Sequence, residues 1–253
     1  MGGIIPNKII DYNSKLSLRY KEAIKRKFSY FPKSSELYIF FPGNDGKIYM
    51  NYFIRRTVLN GGFSFLEYEF PEGELSSDAF LTLKFFGEVE KLIKKDIKTI
   101  IKRYNLRNIN LIGVSLGCID ACIAAKSLQR INRIFLVAPI FDLSKTVWES
   151  KITRDLKNKM ISAGMTYKKL KIIWKSLSIL ELIKYIKFKE VNAIASKTDK
   201  VCLYKNDYSL IFKNKKIEII KNKSVGHYFC IFYFYFFPRR LLKIFKKQYK
   251  LNH

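Results

Sequence analysis

Ser115 lies in the run Gly113-Val114-Ser115-Leu116-Gly117, with the apolar residues Ile109 to Ile112 before it and the small or apolar residues Leu116 to Ala125 after it. That order predicts a buried strand, a sharp turn and a tightly packed helix. Such a turn holds its central serine in a strained backbone conformation, and positions two residues to either side must lack side chains to avoid collision. Gly113 and Gly117 meet that demand. The turn would raise the hydroxyl above a sheet edge and leave the first N–H groups of the helix open to an anion, which is a geometry for nucleophilic attack on a carbonyl.

A serine hydroxyl needs a base. The chain has only two histidines, and since His253 is the last residue of the sequence, His227 is the candidate general base. It follows Lys216 to Asn222 (KIEIIKN), an alternating segment that reads as a last strand, and Gly226 beside it suits a loop crossing a sheet edge. A carboxylate should orient the imidazole. Asp199 ends the loop Ser196-Lys197-Thr198-Asp199 after the strand-like run from Val191, between the serine and the histidine in chain order. Asp142, after the strand-like run Arg133 to Ala138, is the alternative acid, and either aspartate also suits a turn or a helix cap. Asp120 fits less well, one helical turn beyond the serine.

The remaining elements alternate between strand-like and helical patterns, as in a mostly parallel sheet flanked by helices. Glu36 to Gly46 (ELYIFFPGNDG) reads as a strand running into a tight loop, and Gly61 to Phe70 as a second strand. Phe85 to Tyr104 carries Val89, Leu92, Ile93, Ile97, Ile100 and Ile101 at helical spacing opposite a lysine-rich face. Thr166 to Lys189 sets an apolar surface beside a lysine-rich one, and Pro238 to Lys250 repeats that theme.

With these residues in place the chain resembles the α/β-hydrolase superfamily of serine esterases, lipases and thioesterases, over roughly residues 36 to 245. The resemblance implies one domain over 1–253, with a helical cap inserted at about 143–190. It makes Ser115, Asp199 and His227 a triad and Leu116 the first oxyanion-hole donor. The loop Phe41-Pro42-Gly43-Asn44-Asp45-Gly46 has Pro42 where the family often carries histidine, and Asn44, after the glycine, is the second donor. It further implies an acyl-enzyme reaction on an ester or thioester with an acyl or lipid-like part, needing neither metal nor organic cofactor. The alternative is a non-catalytic binding protein on the same fold.

Composition bounds the partners. The 253 residues carry 48 Lys and Arg against 21 Asp and Glu, a formal charge of +27. A field of that size attracts anionic membrane, acidic acyl carrier protein or nucleic acid, although the abundance of Lys, Ile, Asn, Tyr and Phe also matches drift in an AT-rich coding sequence. Nucleic acid is the least supported: there is no zinc spacing, no RNP-type aromatic motif and no basic low-complexity arm. With 48% hydrophobic residues the chain has ample apolar surface for a core. Four cysteines, Cys118, Cys122, Cys202 and Cys230, form neither a disulfide scaffold nor a C-x-x-C pair, so a reducing compartment is expected. The start lacks a secretory pattern, and Pro6 stands where a myristoylation motif wants Ser or Thr. The apolar run Tyr228 to Phe237 is about half of the roughly 20 residues a bilayer span requires, and so reads as a buried strand or helix. A cytoplasmic protein, free or peripheral at a membrane surface, is the expectation.

Overall fold

The computed structural model describes residues 24–44, 46–47, 51–71, 74–128, 131–196, 199–201, 217–222 and 226–236. Cys202 and the basic segment Pro238 to Lys250 lie outside the described residues, as does the N-terminal segment read for targeting signals.

Seven strands build one sheet among the described residues: β1 (Lys25–Ser29), β2 (Glu36–Phe41), β3 (Ser64–Glu69), β4 (Asn108–Val114), β5 (Ile131–Val137), β6 (Phe188–Ser196) and β7 (Ile217–Asn222). Their order is β1-β3-β2-β4-β5-β6-β7. Only β1 is antiparallel to its neighbour; all other pairs are parallel. Parallel neighbours need crossover connections, and between β2 and β6 helices supply them: α1 (Tyr52–Asn60), α2 (Ala79–Tyr104), α3 (Gly117–Ser127), α4 (Leu143–Glu149), α5 (Arg154–Ser162), α6 (Tyr167–Ile173) and α7 (Ile179–Leu182); α8 (His227–Phe236) follows β7.

Strand alternation divides the apolar residues between two cores. Leu37, Ile39 and Phe41 of β2, with Leu111 of β4 and Leu136 of β5, join α2 and α3 in the larger one. Tyr38 and Phe40, with Ile112, Val114, Phe135 and Val137, face the other way and meet Ile54 and Val58 of α1 and Phe234 of α8. α3 is buried along nearly its whole length, and its Gly, Ala and Cys residues let it lie close to the sheet. Cys118 and Cys122 are core residues there, both fully buried and free of disulfides.

α2 starts six residues before the expected Phe85. Asp78 caps it, accepting from Phe80 N–H at 2.9 Å and Leu81 N–H at 3.3 Å, and so extends the helix beyond the lysine-patterned part. Left-handed Asn105 ends it, returning its N–H to Ile101 O. The segment from Thr166 is helical in short pieces: α6, a 3-10 turn at Lys175–Leu177, α7 and a second 3-10 turn at Ile183–Tyr185. Two bonds fix the breaks. Trp174 Nε1 donates to Ala79 O at 2.9 Å and Ser178 Oγ to Phe141 O at 3.2 Å, while Leu170, Trp174, Leu177 and Leu182 are buried in the larger core. The run from Tyr228 is helix rather than strand, with Cys230 and Phe234 buried and Tyr228 and Phe232 exposed. No helix of the described residues is long and apolar enough to cross a membrane.

Candidate active site

β4 ends at Val114, and the chain turns within two residues into α3. Ser115 sits in that turn at φ 52°, in the left-handed region that side-chain-bearing residues rarely occupy. Its N–H is fixed by Val137 O at 2.8 Å, at the end of the neighbouring β5. The flanking glycines answer to measurable crowding. A Cβ on Gly113 would lie 2.6 Å from Cys118 Cα, and one on Gly117 would lie 2.1 Å from Pro42 O. Gly43 lies close but less tightly, its Cβ position being 3.2 Å from Ser115 Cβ and 3.3 Å from Val114 O. The end of β2 and its loop therefore press directly on the turn.

His227 is the first residue of α8, and Asp199 follows β6 after the loop from Ser196. The structure brings both to Ser115. Ser115 Oγ is 3.0 Å from His227 Nε2, and His227 Nδ1 is 2.8 Å from Asp199 Oδ2. With the ring proton on Nδ1, donated to the carboxylate, Nε2 is left to accept from the serine hydroxyl. The second carboxylate oxygen of Asp199 accepts from Val201 N–H at 2.8 Å, which fixes its plane. All three side chains are buried, so their contacts are little screened by water.

α8 is anchored away from His227. Phe234 stacks on Phe40 with ring centres 6.4 Å apart, and Tyr235 O–H donates to Asn51 Oδ1 at 3.4 Å. Asn51 and Glu67 belong to one buried polar group in which Arg55 of α1 pairs with Glu67 of β3. The helix that carries the imidazole is thus tied to both the sheet and α1.

The other acidic candidates have different surroundings. Asp142 is the N-cap of α4, where its Oδ1 accepts from Lys145 N–H at 3.1 Å and Ser144 O–H at 2.6 Å. Asp120 is buried in the first turn of α3, and neither carboxyl oxygen has a hydrogen-bond partner among the described residues. Burial pushes its carboxyl well above the ordinary range. Leu116 is the N-cap residue of α3. Asn44 is exposed, in the turn closed by Gly46 N–H on Gly43 O at 3.0 Å. Among the described residues no group of three or more His, Cys, Asp or Glu side chains is placed to hold a metal ion.

Three contributors escaped the sequence reading. Gly43, read from sequence only as part of the tight loop that carries Asn44, lies against Ser115, a contact between residues 72 positions apart. Val201 acts through its backbone and leaves no side-chain signal. Cys230 lies one turn along α8 from His227, near enough to Asp199 that the carboxylate adds to burial in pushing the thiol up to about 11.

Comparison of the whole structure gives an esterase of Pyrococcus furiosus, 14% identical, covering 95% of this chain and 91% of that one at a TM-score of 0.58. An acetyl xylan esterase from Paenibacillus sp. R4 is 16% identical over 81% of this chain and 74% of that one, at 0.60. A monoacylglycerol lipase of Paleococcus ferrophilus is 14% identical over 81% and 91%, at 0.52. The chain has the α/β-hydrolase fold. No protein-family model matches it, and no curated protein matches it by sequence. At such low identity the shared property is the α/β-hydrolase architecture itself. Within that architecture Ser115 occupies a strand-to-helix turn at the C-terminal edge of the parallel strands, where open α/β sheets place their ligands.

Proposed function

We propose that the protein is a serine hydrolase that cleaves a carboxylic ester or thioester through an acyl-enzyme. The observation that carries the reading is the continuous line from Ser115 Oγ to His227 Nε2 at 3.0 Å and from His227 Nδ1 to Asp199 Oδ2 at 2.8 Å. Structural neighbours named as esterases and a lipase support the hydrolytic class.

In the proposed reaction His227 Nε2 takes the hydroxyl proton as Ser115 Oγ bonds to the carbonyl carbon, and Asp199 stabilises the imidazolium. The oxygen of the tetrahedral intermediate becomes negative and is met by the N–H groups of Leu116 and Asn44, each contributing about 3 to 4 kcal/mol to the transition state. The intermediate collapses as the alcohol or thiol departs with the proton from His227. Water, activated by the same imidazole, then releases the carboxylic acid and restores the serine. Neither a metal nor an organic cofactor enters this scheme. The segment 143–190 leaves the sheet after β5, whose last residue bonds the Ser115 amide, and is suited to form the wall beside the acyl group of a lipid-like substrate.

The test is covalent labelling of the native protein by a fluorophosphonate. Wild type is expected to label, and Ser115→Ala and His227→Ala are expected not to. Labelling of Ser115→Ala at the wild-type rate would sink the nucleophile assignment, and an unlabelled wild type would favour a non-catalytic binding protein. A series of p-nitrophenyl esters of increasing acyl length then separates short-chain from lipid-like preference.

A further inference from the structure

The charge of this protein is unevenly spread. Residues 151–175, from the turn before α5 to the end of α6, hold seven lysines and one arginine against Asp155 alone. That is about one net positive charge per four residues, against about one per nine over the whole chain. None of these eight cations forms an ion pair among the described residues, whereas Lys25, Arg26, Arg55 and Arg133 elsewhere do.

The same segment contains all three exposed isoleucines of the described residues: Ile152, Ile161 and Ile172, at 58%, 47% and 68% exposure. The core has no use for them, because Met160, Leu170 and Trp174 form the buried side of α5 and α6. Gly164, at φ 77°, ends α5 and Thr166 caps α6, so a short turn joins the two helices, each packed on α4 and each carrying exposed lysine and isoleucine. Drift in composition supplies both lysine and isoleucine; it does not account for the exposed isoleucines of the described residues being collected on the most basic part of the surface. The stripe Lys94, Lys98 and Lys102 on α2 is the internal contrast, equally exposed and basic but without an exposed aliphatic neighbour.

We propose that the exposed faces of α5 and α6 dock the protein on an anionic lipid bilayer. Lysine ammonium groups reach headgroup phosphates on flexible stems while isolated aliphatic side chains enter the acyl boundary, each weak alone. Charge complementarity selects the partner: a cationic surface with one carboxylate matches a continuous sheet of anionic headgroups. These two helices belong to the insertion that leaves the sheet beside Ser115, so docking would deliver a lipid-like substrate to the proposed site. The docking itself does not depend on that chemistry and is measured without turnover.

The experiment is co-sedimentation of the full chain with phosphatidylcholine vesicles, plain or containing about 30% phosphatidylserine. Binding is expected only with phosphatidylserine. At about fivefold per lysine, the triple variant K159E/K168E/K171E should bind more than tenfold more weakly, and I161S/I172S several-fold more weakly. K94E/K98E/K102E, with the same net charge, should lose less than about threefold. Equal losses for the two charge variants would show that total charge alone acts, and overturn the proposal. So would absence of vesicle binding, including the case in which only an acidic protein binds. All substituted positions are exposed, and circular dichroism of each variant checks that it folds. Labelling of Ser115 in the same samples is a separate readout, so failure of the docking surface and failure of the hydrolase reading are distinguishable.

Discussion

Gly117→Ala is the sharpest perturbation of the serine turn. A methyl group there would lie 2.1 Å from Pro42 O and 2.4 Å from Phe41 O. Both are backbone atoms at the end of β2, which pairs with β4 through Phe41 and Gly113, so neither can rotate away. Restoring an ordinary contact of about 3.5 Å requires a displacement of roughly 1 to 1.5 Å. That displacement separates the turn from the loop carrying Asn44, the two sides proposed to supply the oxyanion donors. A misplacement of about 1 Å costs on the order of a hundredfold in rate, and overpacking costs about 1 to 3 kcal/mol of stability. We therefore expect the second-order rate of fluorophosphonate labelling to fall about a hundredfold, with a melting temperature lower by roughly 3 to 10 °C. Gly87→Ala on α2 is the control, because nothing lies within 4 Å of its added methyl. It should raise stability by up to about 1 kcal/mol and leave labelling unchanged. Wild-type labelling and melting in Gly117→Ala would refute the crowding argument, and lost stability with unchanged labelling would refute its link to the site.

The two loop aspartates should separate cleanly. Asp142→Ala removes the α4 cap and should cost about 1 kcal/mol with labelling within twofold of wild type, whereas Asp199→Ala should slow labelling by at least about a thousandfold; the reverse pattern would reassign the acid. Asp96 gives a pH test: desolvation, only partly offset by Arg26 at 2.8 Å, raises its carboxyl to about 6. The folded state thus holds this proton more tightly than the unfolded state, so stability from this group is present below about pH 4 and is lost as pH rises to about 6. Asp96→Asn should flatten urea-unfolding stability over that window, and parallel profiles for variant and wild type would refute the assignment.

The parts legible in the sequence are those with local causes. Gly113, Ser115 and Gly117 declare a turn because the steric demand falls within five residues, and the lysine-opposed isoleucines of α2 declare a helix because their period is local. The choice between Asp199 and Asp142 is not local. Both follow strands, and only the return of α8 to the sheet decides which carboxylate meets His227. The run from Tyr228 was equally ambiguous, since consecutive apolar residues fit a buried strand or a helix by periodicity alone. The breaks after α6 depend on Trp174 reaching Ala79, a contact over 95 positions. Gly43 repeats the lesson inside the site: its close approach to Ser115 arises only because the β2–β4 pairing brings the two together.

Asp120 shows how the helix behind the serine can keep its field. The N-terminal end of α3 carries a partial positive charge, and a negative oxygen held at Leu116 would draw on it. An ionised carboxylate in the first turn of that helix would compete for the same N–H groups and repel the developing oxyanion. Asp120 occupies that turn. It is 1% exposed, unpartnered at both oxygens among the described residues, and displaced by burial toward its protonated form. Shifted in that direction, it competes less with an anion for the helix end. Position, not burial, separates the two acids: Asp120 makes no hydrogen bond with His227 among the described residues, while Asp199, also buried, is held by a backbone N–H and the imidazole and is the proposed partner of His227.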